Sequence, residues 1–190
     1  MHFLVLFGPP AVGKMTVGDE ITKLTGIPVF HNHLSIEPIL RFFPFGSPPF
    51  ARLVGTFRRN LIEEVANSDL PGLIFTFVWS FSREEDKQFL ADICKTFEDA
   101  NADISFVELK ADLEERLRRN RTEKRLMEKP SKRDLDKSEK RLLEMENRHE
   151  MKSGGSISLK YRHLTINNTG RSAEDVAIEI VDTLSVPRRA

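Results

Sequence analysis

The sequence predicts an α/β protein, a three-layer α/β/α sandwich around a mainly five-stranded parallel sheet, with a charged helical segment set on top of it. Three observations predict it. Short apolar runs at His2–Phe7, Leu73–Trp79, Ile104–Leu109 and His163–Ile166 alternate with helix-length amphipathic stretches along the whole chain. Leu73–Trp79 is a central apolar run bounded by Pro71-Gly72, the pattern of a strand covered on both faces. A glycine-bearing loop joins the first run directly to a helix. Strands that alternate with helices pair in parallel through right-handed crossovers, which places helices on both faces of one sheet.

In chain order, His2–Phe7 is the first strand, too short to span a bilayer and without a basic leader or cleavage site. A helix follows from about Lys14 to Leu24, then a turn at Gly26-Ile27-Pro28 and a short second strand over Pro28–Phe30. Ala51–Asn67 is helical, with Leu53, Phe57, Leu61 and Val65 recurring four apart. After the Leu73–Trp79 strand, Ser82 is the expected N-cap of the next helix, with Glu85 at the capping-box position. Beyond the Ile104–Leu109 strand, a charged stretch from Asp112 to about Lys152 carries Pro130 and ends before Gly154-Gly155. The region around Pro130 reads as inserted on top of the core, and its mixed signs suit a solvated helical face. His163–Ile166 is the last strand, Asn167–Arg171 a loop, and Ser172 caps a closing helix that ends near Pro187.

At 190 residues the chain is expected to form one domain, 1–190, with a substantial core. The 29 basic and 29 acidic residues balance, so no global field draws it to nucleic acid or an anionic membrane. A lone cysteine, Cys94, excludes an intramolecular disulfide and a cysteine-built zinc cage, and fits a reducing compartment. Its expected role is packing on the buried face of a helix. No stretch is apolar for long enough to cross a membrane, and the expected location is cytoplasmic.

The chemistry concentrates in Gly8-Pro9-Pro10-Ala11-Val12-Gly13-Lys14, which satisfies the Walker A core G-x-x-x-x-G-K. Two glycines let the backbone curl so that successive N–H groups point at phosphate oxygens. The helix behind them aims its partly positive N-terminus at the same place, and Lys14 adds a full charge. The strand before and the helix after supply the context the motif requires, so ATP is the expected nucleotide. Met15 stands where Ser or Thr normally offers a hydroxyl to Mg²⁺. Thr16 does not simply replace it, because adjacent helical residues are turned about 100° apart. Mg²⁺ is then held by water and phosphate oxygens alone or by another group. The residues suggest no dedicated metal site.

With these residues in place the chain resembles the shikimate kinase and related small-molecule kinase branch of P-loop proteins. His31-Asn32-His33-Leu34-Ser35-Ile36-Glu37 lies where shikimate kinases carry D-x-D-x-x-I-E; Ile36 and Glu37 match, and histidines replace both aspartates. Gly55-Thr56-Phe57-Arg58 is similar to that family's G-E-x-x-F-R segment in compressed form, whose arginine binds the anionic group of the acceptor. Arg116, Arg119 and Arg121 fall where such kinases pass from a core helix into a mobile lid. Asn167-Asn168-Thr169-Gly170 is similar to the loop near the adenine. The resemblance implies a P-loop NTPase fold, an acceptor-binding segment over about 31–67 and a lid over about 117–152. It implies that Gly8 to Thr16, Arg116, Asn168 and Thr169 bind nucleotide. Trp79-Ser80-Phe81 departs from the family, with no glycine-rich turn and no acidic residue at the strand end, which implies an acceptor other than shikimate.

His31 and His33 sit two apart, so on an extended strand end they face one side, near the phosphate loop. Transfer of a phosphoryl group needs something to orient the acceptor hydroxyl and take its proton, and imidazole does this near neutral pH. The other reading is that they cap a strand; metal binding lacks cysteine or carboxylate partners. An HNH nuclease is excluded because the neighbours of that dispersed motif are absent. Between Arg41 and Phe50, four phenylalanines lie among prolines and a glycine. They either plug the core or wall an acceptor pocket, where Arg41, Arg58 and Arg59 grip an anionic or hydroxylated portion. Arg119, Arg121, Arg125 and Arg133 are surface charges or stabilisers of the transferred phosphoryl.

The leading expectation is an ATP-dependent phosphotransferase acting on a hydroxyl of a small molecule. In it Lys14 and the loop amides hold phosphate, His33 or His31 orients the acceptor, and Arg119 and Arg121 stabilise charge. A second is a nucleotide-binding module with little or no chemistry, suggested by Met15. A kinase of nucleic-acid ends fits the balanced charge least. The expected state is monomer or homodimer.

Overall fold

The computed structural model describes residues 1–148, 153 and 160–189. The Gly154-Gly155 turn and the far end of the expected lid, 149–152, lie outside them. Five strands form one all-parallel sheet: β1 (His2–Phe7), β2 (Val29–Phe30), β3 (Gly72–Phe77), β4 (Asp103–Lys110) and β5 (Arg162–Asn167), in the order β2-β3-β1-β4-β5. β1 therefore lies at the centre, pairing with β3 through Phe3 opposite Leu73 and with β4 through Phe3 opposite Ile104. In this order β1 leads toward β2 on one side and its neighbour β4 toward β5 on the other, which opens a crevice at the carboxyl ends of the strands.

Side chains alternate across the sheet and build two cores. Phe3, Val5 and Phe7 of β1 join Phe75 and Phe106 beneath α3 (Pro48–Ala66) and α4 (Glu84–Asp99). Leu4 and Leu6 point the other way, onto α1 (Lys14–Thr25) and α8 (Ala173–Thr183) through Val17, Ile21, Val176 and Ile180. Phe3 stacks on Phe97 at 4.0 Å between ring centres, with Cys94 buried in the same layer. Burial pushes the Cys94 thiol up to about 12, as suits a packing residue.

The strand expectations hold, apart from the length of the central one: β3 stops at Phe77, and Trp79 packs beyond it against Phe7 and Phe81. Ser172 does cap α8, its side chain accepting from the Asp175 N–H at 3.0 Å. Other expectations need correction. Arg83, not Ser82, is the N-cap of α4, and the Ser82 hydroxyl meets that of Ser80 instead. An unexpected helix, α2 (His33–Leu40), occupies what reads in sequence as a strand end followed by loop; Pro38 inside it masks the helical signal. α3 starts at Pro48, where a proline lacks no needed N–H. Its buried face is Phe50, Val54, Ile62 and Val65, whereas Leu53 and Phe57 are partly exposed. A spacing of four drifts about 40° per step around a helix of 3.6 residues per turn, so such a stripe cannot stay on one face for four turns. The charged stretch forms α5 (Leu113–Asn120), α6 (Glu123–Glu128), a 3₁₀ turn (Pro130–Lys132) and α7 (Leu135–Arg148). Among the described residues no helix is long and apolar enough to cross a membrane.

Candidate functional site

The loop from Gly8 to Lys14 leaves the carboxyl end of β1 and opens α1. Gly8 has φ +136°, and a Cβ there would stand 2.3 Å from the Leu109 carbonyl oxygen of β4, so the close approach of the two strands demands glycine. Gly13, at φ +107°, caps α1, whose first turn carries no acidic side chain. No side chain caps its leading N–H groups, the kind of helix start that can receive an anion. Lys14 folds back over the loop, donating from Nζ to the carbonyls of Gly8 at 2.6 Å and Pro9 at 2.9 Å. Burial, with Lys129, Arg125 and Arg116 nearby, holds its ammonium well below the usual range.

A cavity of about 1210 Å³ runs from this loop past the carboxyl end of β3. Pro10 to Val17 line one end, with Arg119, Asn168 and Gly170 beside them. Asn32, His33, Arg58, Thr76 and Asp86 line the other, against an apolar wall that includes Ile36, Phe45 and Phe50. Arg125, Lys129, Lys132 and Arg141 line the same space from the α6–α7 region. The Arg141 guanidinium sits 4.1 Å from the centre of the Phe45 ring.

The expected residues divide accordingly. Arg119 and Asn168 meet on the loop: Arg119 Nη1 and Asn168 Nδ2 both donate to the Val12 carbonyl, at 2.8 and 2.9 Å. Arg119 is itself held by Glu115 at 2.7 Å. It acts here as a strap on the phosphate loop. Arg116 is fully buried, paired with Glu146 at 2.7 Å, and lies outside the cavity lining. Arg121 pairs with Glu139 on the surface, Arg133 donates to the Leu126 carbonyl, and Arg41 ends α2; none lines the cavity. The Thr169 hydroxyl accepts from the Asp112 N–H at 3.0 Å and also sits apart. Met15 and Thr16 both line the cavity.

The histidines do not face one side, because β2 ends at Phe30 and His33 starts α2. His31 is buried, with Nε2 3.7 Å from Glu128 of α6, and does not line the cavity. His33 does. Its Nδ1 lies 2.8 Å from Glu37 Oε1, one helical turn on. Burial and the cations Lys129, Lys132 and Arg125 push His33 down to about 2, so the ring is neutral and donates Nδ1–H to the carboxylate. Arg58 is committed internally, from Nε to Ser35 Oγ at 2.8 Å and from Nη2 to the side chain and backbone carbonyls of Asn32.

Sequence reasoning missed Asn32, Thr76, Asp86, Lys129 and Lys132. Asp86, in the first turn of α4, reaches back so that Oδ2 accepts the Ser80 N–H at 2.9 Å, bringing a carboxylate to the end of β3 where the strand lacks one. Its only sequence signal is an acidic first turn after the central strand. Lys129 and Lys132 gave none, since flanking Pro130 reads as a loop. Burial and neighbouring cations push them down to about 7 and about 8. Among the described residues no group of three His, Cys, Asp or Glu stands ready for a metal.

No family model matches the chain, and no curated protein does. Solved structures do. The chain is similar to a sugar kinase from Janibacter sp. HTCC2649, at 13% identity over 98% of this chain and 95% of that one, with a TM-score of 0.62. It is similar to a putative kinase from Chloroflexus aurantiacus J-10-fl, at 13% identity over 95% and 97%, with a TM-score of 0.63. It is also similar to the shikimate kinase of Acinetobacter baumannii in complex with shikimate, at 17% identity over 97% and 93%, with a TM-score of 0.54. At such identities the likeness establishes the fold, the expected α/β sandwich with its parallel sheet.

Proposed function

We propose that this protein is an ATP-dependent phosphotransferase that moves the γ-phosphoryl group to a hydroxyl of a small-molecule acceptor. The observation that carries the reading is the continuity of the cavity from the phosphate loop to a second, partly apolar pocket. A triphosphate on the loop would meet a second ligand there without leaving protein. The kinases that share this fold support it.

In this reading the loop amides and Lys14 take the β- and γ-phosphates, and Lys14 exchanges the loop carbonyls for phosphate oxygens. Arg119 and Asn168 keep the loop in shape. Arg125 and Lys129 neutralise charge on the transferred group. The acceptor oxygen attacks phosphorus, the bond to the bridging oxygen breaks, and ADP leaves with that electron pair. The hydroxyl proton passes to His33 Nε2, left as the free lone pair once Glu37 holds Nδ1–H. Mg²⁺ would supply positive charge to the phosphates; Met15, at the usual hydroxyl position, offers it no ligand, and Thr16 is the hydroxyl that lines the loop end of the cavity. Asn32, held by Arg58, positions the acceptor against the aromatic wall.

The test is ADP release from ATP across a panel of hydroxylated metabolites and antibiotics. The reading requires release that depends on one acceptor class and is abolished by Lys14→Met. Nucleotide binding with no stimulation by any acceptor supports the binding-module reading instead, which the Met15 substitution favours.

A further inference from the structure

Glu37 makes more contacts than an orienting carboxylate needs. Its Oε1 takes the His33 Nδ1–H at 2.8 Å, and the same carboxylate takes two groups of Ser131, the hydroxyl on Oε1 at 2.6 Å and the backbone N–H on Oε2 at 3.1 Å. Ser131 lies in the 3₁₀ turn between Lys129 and Lys132, on the segment that covers the cavity. We propose that Glu37 is a positioning residue that couples closure of this segment to the tautomer of His33, one carboxylate serving as latch and as orienter. The proposal rests on the reading of His33 as the group that receives the acceptor proton.

The geometry gives the coupling its direction. With the segment seated, three donors share one carboxylate, which fixes its orientation, so Nδ1 carries the proton and Nε2 is left as acceptor. With the segment lifted, both Ser131 bonds are lost and the carboxylate is free to rotate away from the ring. Two further contacts seat the same segment: Lys124 on Asp19 at 2.6 Å and Glu128 beside His31 at 3.7 Å. The charged groups that reach His33 are Glu37 on its own helix, His31 before it, and Arg125, Lys129 and Lys132 on the cover. Closure therefore brings three cations toward a ring that must gain a proton, a costly arrangement unless an anion lies among them. A bound triphosphate supplies that anion. The latch thus readies the base only when nucleotide has offset the cations, and opening after transfer removes them again.

The experiment separates this from the function it rests on by using a readout that needs no acceptor. ¹⁵N-edited NMR of the imidazole rings, with a non-hydrolysable ATP analogue, reports the His33 tautomer, and amide hydrogen exchange reports Ser131. In the parent, His33 is expected as the Nδ1–H tautomer with Ser131 protected. Glu37→Gln, nearly isosteric, is expected to give a mixed tautomer and at least tenfold faster Ser131 exchange. Ser131→Ala keeps the backbone bond and is expected to shift the tautomer less than Glu37→Gln. With an acceptor in hand, Glu37→Gln lowers kcat at least tenfold while KM for ATP changes less than threefold. An Nε2–H tautomer in the parent, or a tautomer untouched by Glu37→Gln, overturns the proposal. Failure of every acceptor overturns the kinase reading and leaves the NMR result to decide the coupling.

Discussion

Affinity for nucleotide is expected to fall steeply above neutral pH, because two cations of the cavity titrate there. Lys129 is held at about 7 by burial and by Arg125 and Lys132, against the opposing pull of Glu37 and Glu128. Lys132 is held at about 8 by burial, Arg141 and Arg125. An anion binds the charged forms and restores their ordinary values near 10. The sign follows: below pH 7 both are charged already and binding takes up no proton. Above it the free protein must gain protons to bind, so affinity drops. From pH 7 to 9 the protonated fraction changes by about 50-fold for Lys129 and about 10-fold for Lys132, which sets a ceiling of about 500-fold on the loss. The ligand adds nothing in this window, since a phosphate gives up its second proton near pH 6. Lys14 is shifted in the same sense, so the diagnostic quantity is a difference between variants. Lys129→Arg keeps the charge at all these pH values and is expected to remove the 50-fold part. Calorimetric titration with ATP at pH 7, 8 and 9 measures it. A Lys129→Arg protein with the parent's pH dependence refutes the reasoning.

Gly8→Ala is expected to abolish ATP binding, because the new methyl would meet the Leu109 carbonyl at 2.3 Å in a positive-φ backbone; strain of about 1–3 kcal/mol should lower the thermal midpoint too, and a parent-like protein by calorimetry would contradict this. Met15→Ser restores a hydroxyl at the first turn of α1 and is expected to increase the gain in ATP affinity that Mg²⁺ brings. Titration with and without Mg²⁺ decides it, and an unchanged metal dependence counts against the role given to Met15.

The sheet was legible in the sequence for a simple reason. Strands buried on both faces must be apolar at nearly every position, and Phe3 to Phe7 or Leu73 to Phe77 leave no other reading. The phosphate loop was legible because its conformation permits few residues, as Gly8 and Gly13 show. The end of the cavity built by α2 was not. Its helix α2 is short, carries Pro38 and contributes to a small satellite core of Ile36, Phe50 and Val54, so no long periodic pattern announces it. Reading it as extended put His31 and His33 on one face, whereas the helical start sends His31 to Glu128 and His33 to Glu37. Glu37 was visible in sequence as a family match, but its meeting with Ser131 spans 94 positions and belongs to tertiary structure alone.

The same distance from sequence explains why the arginines divide as they do. Near the start of the lid, Arg116, Arg119 and Arg121 read alike, yet a helix turns about 100° per residue and sends them to three environments. Arg116 points into the protein against Glu146, Arg119 reaches the Val12 carbonyl, and Arg121 meets Glu139 at the surface. A cation that already has a carboxylate gains less from a phosphate, since it must first give up its partner. The groups best placed to answer an incoming anion are therefore Lys14, Arg125, Lys129 and Lys132, which line the cavity and whose values burial depresses first, with neighbouring cations adding to the shift for the three lysines. An anion among them favours the charged forms and opposes that depression. The cavity thus gathers buried cations that an anionic ligand would stabilise, and they are the ones its chemistry would use.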